Sequence, residues 1–331
     1  MSDPPAANQR FTYANGDKYE GGMKDGHRHG QGTFSWGTGD VYTGDFAVGK
    51  KSGKGTFVQA DGSKYEGEWM DDMMHGTGTF TYAHGETYEG QWVEDQIQGE
   101  GVWTYPDGNV YKGQFIAGMK SGQGAYTMTS GDKCEGEWAE DVLCGQGTMH
   151  YSNGNVYTGE WKDNNKHGNG TLNFASGAIY EGAFLKDVRT GHGKLTAADG
   201  TIYEGAFLNN KKEGHGTFTF PKSGATYNGE WIADKMSGQG TYKFSDGSVY
   251  EGQFEADMMH GKGKKTFADG NVYDGHWDGD SRHGQGTFSW FTNNTTYVGE
   301  WVRDKRTGQG KLTLPDGTVQ EGAFKDNEFV G

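Results

Sequence analysis

The chain has 331 residues, of which 32% are hydrophobic and 60 are glycine, and its formal net charge is −15. This acidic balance disfavours nucleic acid and anionic membrane surfaces, because proteins that bind either carry clustered Lys and Arg. The 10 Trp, 18 Tyr and 18 Phe residues argue against disorder, since disordered chains are poor in aromatic side chains. We see neither the apolar core of a signal peptide nor a long apolar span, and therefore expect a cytoplasmic protein.

Residues 1–10 carry no periodic pattern and are predicted to form a flexible N-terminal tail. Beyond them, a tract of the form Tyr-x-Gly-x-(Trp or Phe) returns every 23 or 24 residues, about fourteen times if an imperfect copy at each end is counted. A Gly-x-Gly pair lies between successive tracts. A fixed period of this length is typical of a repeat architecture. The pattern predicts one continuous repeat domain over residues 11–331.

Two segments of each repeat alternate as β-strands do. In residues 65–69 the side chains of Tyr65, Gly67 and Trp69 fall on one face, and two glutamates fall on the other. Residues 76–82 alternate in the same way, with aromatic residues and glycines on one face and threonines opposite. We expect the glycines to leave space in which the rings lie flat across a sheet that has no second layer.

The connections predict a hairpin in each repeat. Asp-Gly and Asn-Gly pairs, as at Asp61-Gly62, are strong signals of tight turns, whereas the connection from Met70 to His75 reads as a longer polar loop. The expected fold is all-β: an elongated, single-layer, twisted antiparallel sheet of about fourteen tandem 23-residue β-hairpins. The chain stops at Gly331, so the strand that contains Phe324 is expected to have no return strand beside it and to form an open edge of the sheet.

These motifs, Tyr-x-Gly-x-(Trp/Phe) followed by Gly-x-Gly-x-(Phe/Tyr/Leu), closely resemble the MORN repeat family over about residues 11–331. The resemblance implies an elongated one-layer sheet with an aromatic groove. It also implies scaffolding in cytoskeletal or ciliary assemblies and at membrane–cytoskeleton junctions, capture of partner helices in the groove, and in some members dimerisation through terminal repeats.

We therefore expect a non-catalytic scaffold whose exposed aromatic groove binds an amphipathic helix or an extended segment of a partner protein, and the acidic opposite face favours a basic partner. The central repeats have the strongest consensus, so the predicted groove residues are Tyr65, Trp69, Tyr88, Trp92, Tyr111, Phe115, Trp138, Tyr157 and Trp161. End-to-end homodimerisation is predicted through Tyr297, Trp301 and Phe324. The alternative is a peripheral membrane or phosphoinositide adaptor. The acidic net charge disfavours that alternative, and short basic runs such as Lys50, Lys51 and Lys54 read as solvated surface.

Residue types that carry chemistry occur, but as parts of the repeat. Glutamates such as Glu66 and Glu68 recur on a solvated face, where no burial would raise one pKa for acid–base catalysis. Histidines recur before the Gly-x-Gly pair, as at His260 and His283, too far apart to share a metal ion. Cys134 and Cys144 are too few for a disulfide scaffold and stand at repeat positions. We expect no enzyme activity, metal or cofactor.

Overall fold

In the computed structural model, which describes residues 8–331, all regular secondary structure is β-strand, in 29 strands. The residues divide into two units, one ending at Asn165 and the other beginning at Lys166. In each unit the strands pair antiparallel with their chain neighbours in an open sheet. The predicted all-β, tandem-hairpin fold is confirmed. Among the described residues there is no helix that could cross a membrane.

The strands of the first unit are β1 (Asn8–Thr12), β2 (Lys18–Lys24), β3 (His27–Ser35), β4 (Val41–Ala47), β5 (Lys50–Val58), β6 (Lys64–Met70), β7 (Met73–Thr81), β8 (Thr87–Val93), β9 (Gln96–Thr104), β10 (Val110–Ile116), β11 (Met119–Thr127), β12 (Lys133–Ala139), β13 (Val142–His150) and β14 (Val156–Lys162). Those of the second unit are β15 (Asn165–Asn173), whose first residue lies at the boundary, β16 (Ile179–Leu185), β17 (Val188–Thr196), β18 (Ile202–Leu208), β19 (Lys211–Phe220), β20 (Ala225–Ile232), β21 (Lys235–Lys243), β22 (Val249–Glu255), β23 (Met258–Thr266), β24 (Val272–Asp278), β25 (Ser281–Ser289), β26 (Thr296–Val302), β27 (Lys305–Thr313), β28 (Val319–Lys325) and β29 (Glu328–Phe329).

The turns are the reverse of what the sequence predicts. The tight hairpin turn consists of two residues between β6 and β7, Asp71 and Asp72, with φ angles of 52° and 73°. Positive φ at both central residues defines a type I′ turn, which Asp and Asn tolerate better than most residues. The Asp-Gly segments form longer loops, such as residues 59–63 between β5 and β6, which contain Asp61-Gly62. The methionines Met73 and Met74, predicted in a loop, therefore lie in β7.

A bulge explains why the second strand of a hairpin is longer than the first. Gly67 pairs with Gly78, but the next residue, Glu68, pairs with His75, so Gly76 and Thr77 are left over on β7. Gly76 has a φ of 62°, in the left-handed region that favours glycine. The first glycine of the Gly-x-Gly pair is thus required by backbone conformation at the bulge, and not by ring packing as the sequence predicts.

A repeated hydrogen-bond pair joins neighbouring hairpins at their turns. The second turn residue, Asp72, accepts a hydrogen bond from the backbone N–H of Lys51 on its Oδ1 (2.7 Å), and its own N–H donates to the Lys51 carbonyl (3.1 Å). Equivalent side-chain acceptors within the two units are Asp95, Asp141, Asn164, Asp187, Asn210, Asp234, Asp257, Asp280, Asp304 and Asn327. The second turn residue therefore holds its own hairpin against the preceding one through two hydrogen bonds.

Replacing Asp72 with Ala is expected to destabilise the first unit by about 1 kcal/mol, because the Lys51 N–H loses its acceptor and a non-Asx residue must hold a positive φ. Asp72→Asn should be nearly neutral, since Asn164, Asn210 and Asn327 make the same bond elsewhere. Urea unfolding of the three proteins measures the difference. Equal losses in the two variants would contradict this role.

Both ends of the repeat region differ from the prediction. β1 begins at Asn8, which pairs with Gly22, so residues 8–10 belong to the sheet and not to a tail; residues 1–7 lie outside the described part. At the other end, the return strand predicted to be missing is present as β29, whose Phe329 pairs with Phe324. The edge of β28 is therefore covered by a two-residue strand, and such short edges limit further strand pairing.

Candidate functional site

A tyrosine ring is clamped at the centre of most repeats. Tyr88 in β8 is completely buried, and its ring lies across Gly90 and Gly101: a Cβ atom added to Gly101 would stand 2.5 Å from the ring. Its hydroxyl donates a hydrogen bond to the carbonyl of Gln91 (3.1 Å). Burial raises the pKa of Tyr88 to about 12, so the phenol stays protonated as a donor. The ring replaces the second layer that the sheet lacks.

The tryptophan of each tract connects its own repeat to the preceding one. The ring of Trp92 meets the edges of both Tyr65 and Tyr88, with centroids 5.4 and 5.3 Å apart. Its indole N–H donates to the carbonyl of Gly78 in the preceding hairpin (3.2 Å). Edge-to-face contacts of this kind favour a fixed ring geometry. Tyr and Trp therefore form one interlocked core along each sheet.

The predicted groove residues are all in this core. Their relative exposures lie between 0% and 8%, for Tyr65, Trp69, Tyr88, Trp92, Tyr111, Phe115, Trp138, Tyr157 and Trp161. The predicted self-association residues Tyr297, Trp301 and Phe324 are buried to the same extent. The expectation that these rings form an exposed groove is therefore wrong in its detail: the structure brings them together, but it covers them with one another. Their role in binding stays a prediction.

A second row of rings on the same face is half-exposed. It comes from the ends of the longer strands and from the first position of each long loop, and in the first unit it includes Phe80, Tyr82, Trp103, Tyr105 and Tyr126. Ring centroids of successive members are 5.8–6.2 Å apart from Tyr82 to Trp103, Tyr105 and Tyr126. Phe80 and Tyr82 are predicted on the aromatic face, but the sequence does not show that this row, and not the first, forms the surface.

Cations lie over the rings in several repeats, at the second residue of the longer strand. The Nζ atom of Lys51 is 3.8 Å from the ring centroid of Trp69, and that of Lys120 lies 5.2–5.7 Å from four rings. Burial lowers the pKa of both lysines, and the carboxylates of Asp72 and Asp141 act in the opposite direction. The prediction that Lys51 is merely solvated is wrong, because its ammonium group rests on aromatic faces.

Between Lys51 and Lys120 the aromatic face opens into a cleft of about 410 Å³. Met74 and Ile97 stand here at the cation position, and Phe80 and Trp103 form the floor. The rim carries Asp95. Just beyond, Glu86 accepts a hydrogen bond from the indole N–H of Trp103 (2.5 Å) and contacts His84 (2.9 Å). The arrangement combines apolar area with carboxylates.

The opposite face of the sheet is polar. It presents threonines and charged side chains, such as Glu66, which pairs with Lys64 (2.5 Å). Both are substantially exposed, so the ion pair adds little stability. Within residues 8–331 no three His, Cys, Asp or Glu side chains are placed to hold a metal ion.

The repeat at Cys134 departs from the pattern. Cys134 occupies the tyrosine position and is buried, and burial raises the pKa of its thiol to about 11. No tyrosine ring covers Gly147; a Cβ there would instead meet the Trp161 indole, 3.0 Å from its Nε1. The Trp161 indole N–H has no hydrogen-bond partner, whereas Trp138 in the preceding repeat donates to Gly124 (3.2 Å). The indole has moved into space that a tyrosine would fill.

The chain has distant similarity to several solved structures. The TCP domain of SAS-4 in complex with a proline-rich motif of Ana2, from Drosophila melanogaster, is 13% identical, with a TM-score of 0.30 over 47% of this chain and 85% of that one. The TCP10 domain of Danio rerio CPAP is 12% identical, with a TM-score of 0.16 over 96% and 100%. A virginiamycin B lyase from Staphylococcus aureus is 10% identical, with a TM-score of 0.14 over 98% and 97%. No function is inferred from similarities this weak.

No curated protein has a detectable match to the chain. The MORN repeat family, in contrast, matches thirteen consecutive segments, residues 19–41, 42–64, 65–87, 88–110, 111–133, 134–156, 157–179, 180–202, 203–225, 227–249, 250–272, 273–295 and 297–319. The segments begin at the buried tyrosine position, which Cys134 occupies in one of them, so each match spans that position, one hairpin turn and one bulge glycine. The chain belongs to the MORN-repeat family.

Proposed function

We propose that the chain is a non-catalytic scaffold or adaptor that binds a segment of a partner protein along its aromatic face. The observation that carries the proposal is the row of half-exposed rings at Phe80, Tyr82, Trp103, Tyr105 and Tyr126. Contiguous apolar surface of this kind marks interaction sites, and Tyr and Trp are frequent anchors in them. The buried tyrosine and tryptophan rings of the core pack beneath these half-exposed rings and hold them in place.

The spacing of the repeats suits a helical segment. Equivalent side chains of neighbouring repeats are separated by two strand spacings, which is about 10 Å. Seven residues of an α-helix rise by about 10.5 Å. A helix with one apolar residue in every seven, aligned across the strands, would therefore present one side chain to each repeat, as in helix-in-groove recognition. The family resemblance supports a cytoskeletal or ciliary assembly as the setting.

Replacing Tyr82 and Tyr105 together with Ser is expected to abolish partner capture without unfolding the chain, because both rings are half-exposed and lie in loops. The measurement is proximity labelling with the full chain, followed by pull-down from cytoskeletal and axonemal fractions at two salt concentrations. Glu89→Gln, on the polar face, is the matched control and should retain the same proteins.

Cytoskeletal or axonemal proteins that are captured by the unaltered chain and lost with the double variant would support the scaffold. Recovery of membrane proteins, with binding to anionic vesicles that is lost in high salt and unchanged in the double variant, would contradict it. That second result would favour the peripheral membrane or phosphoinositide adaptor instead.

End-to-end self-association is a separate part of the proposal. Because Tyr297, Trp301 and Phe324 are buried, they would hold the terminal repeat rigid, and the contact itself would fall on exposed neighbours such as Phe329. A truncation after Gly286 should therefore convert the dimer to a monomer, which light scattering would show as a molar mass of one chain. An assembly number unchanged by truncation would exclude this mode of association.

A further inference from the structure

A Lys or Arg holds the cation position in most repeats, but in the first unit Met74, Ile97 and Leu143 stand there instead, the first two in adjacent repeats. Lys51 and Lys120 place their ammonium groups over rings of their own repeat and of the following one. Each faces an acidic residue of the following turn: burial lowers the pKa of Lys51 and the carboxylate of Asp72 opposes that shift, while the carboxylate of Asp141 is 3.9 Å from Lys120. Cation, rings and carboxylate thus form one recurring set, in which the desolvated cation is stabilised from two sides.

In the two repeats between them the cation is missing; the acidic turn residue remains beside Met74, whereas Gly118 stands at the equivalent position beside Ile97. Met74 and Ile97 take its place. The backbone N–H of Met74 still donates to Asp95 (2.7 Å), as that of Lys51 does to Asp72, so the acidic residue keeps its usual place. The ring of Phe80 and the half-exposed Trp103 border the cleft at this point. The site therefore has an aromatic floor and a carboxylate rim without a cation from its own repeats.

The second unit shows that a gap of the same kind can be filled from elsewhere in the chain. There Met236 and Met259 hold the cation position, but Lys265 replaces an aromatic residue and sets its Nζ 4.3 Å from the ring of Phe244 and 5.3 Å from that of Phe267. Lys265 is half-buried, and this burial lowers the pKa of its ammonium group. Rings on this face thus accept a cation that arrives from a different position.

We propose that the cleft between Met74 and Ile97 binds an arginine or lysine side chain of the partner segment. The inference rests on the proposed function, which it deepens by naming one contact. The incoming cation takes the place that Lys51 and Lys120 occupy in their own repeats, with its charge facing Asp95 and its stem on the apolar side chains of Met74 and Ile97. The net charge of −15 assists the approach of a basic segment.

The test uses two labelled synthetic peptides and the full chain. Both peptides are alanine-rich helices; one carries two arginines seven residues apart, and the other carries citrulline, which is neutral and similar in shape, at the same positions. Fluorescence anisotropy should show the arginine peptide binding about tenfold more tightly, since a desolvated cation–π contact with a facing carboxylate accounts for a change of that order.

Two variants locate the contact. Met74→Lys with Ile97→Lys gives the repeats their own cations, as at Lys51 and Lys120, and should weaken the arginine peptide by about tenfold. Asp95→Asn keeps the bond to the Met74 N–H, as Asn164 does for Leu143, but removes the charge, and should weaken binding about threefold. Asp72→Asn, beside the occupied position at Lys51, is the control and should bind as the unaltered chain does.

Failure of the arginine peptide to bind, equal binding of the citrulline peptide, or unchanged binding by both the lysine variant and Asp95→Asn would overturn the inference. A separate result distinguishes failure of the cation site from failure of the proposed scaffold function. If the lysine variant still captures the cellular partner that Tyr82→Ser with Tyr105→Ser loses, the scaffold stands and the cation site does not. Because Asp95→Asn alters neither packing nor the turn bond, it decides the matter even if the lysine variant does not fold.

Discussion

Gly78→Ala is expected to destabilise the first unit by about 3 kcal/mol, because the new methyl group has no space. A Cβ at this position would stand 2.3 Å from the hydroxyl oxygen of Tyr65 and 2.5 Å from its ring carbons. The ring cannot withdraw, since it is completely buried and is held by Trp69 and Trp92, with centroids 5.1 and 5.4 Å away. Urea unfolding followed by circular dichroism measures the loss.

A double-mutant cycle identifies the cause. Tyr65→Ala removes the ring and should cost about 3–5 kcal/mol by leaving a cavity over Gly67 and Gly78. In that background Gly78→Ala should cost little or even restore stability, because the added methyl group now fills part of the cavity. The two changes are therefore expected to be strongly non-additive. Additive losses would show that Gly78 is needed for backbone freedom and not for the ring.

The repeat architecture could be predicted from the sequence because its signals are periodic and local. Tyr65, Gly67 and Trp69 alternate with glutamates, which assigns strand and face before any tertiary contact is known. The turns could not be assigned so easily. Asp-Gly pairs favour tight turns in general, but in this fold Asp71 and Asp72 make the type I′ turn, since they also bond the preceding hairpin. That bond joins residues 21 positions apart, and no short-range pattern reveals it.

The sequence predicts on which side of the sheet the aromatic residues lie, but not which of them are exposed to solvent. The sequence places Tyr88 and Trp92 on the aromatic side, and they are there. Their burial depends on how the rings lie across glycines of a neighbouring strand, which is a tertiary property. The cation position was missed for a similar reason: Lys51 and Lys120 look like ordinary surface charges until their ammonium groups are found over rings from several strands.

Cys134→Tyr is expected to stabilise the first unit by about 2 kcal/mol, which is unusual for a buried substitution by a larger residue. The other repeats show why the new ring has a place: it would lie across Gly136 and Gly147 as Tyr88 lies across Gly90 and Gly101. To admit it, the Trp161 indole must return to the position that Trp138 holds, where its N–H donates to a glycine carbonyl. The gain in stability comes from burial of the new ring and from the hydrogen bond that the Trp161 N–H now lacks.

The opposing effect is overpacking, because Leu143 has partly filled the gap; its Cδ1 is 3.2 Å from where a Cβ on Gly136 would be. Cys134→Phe separates the contributions, since it supplies the ring but not the hydroxyl that tyrosines elsewhere donate to a carbonyl of their own strand. Stability should rise from Cys to Phe to Tyr in urea unfolding, and exchange of the Trp161 indole proton with solvent should slow in both variants. A loss of stability in both would mean that Leu143 and Trp161 already fill the space, and that the repeat has adapted fully to its cysteine.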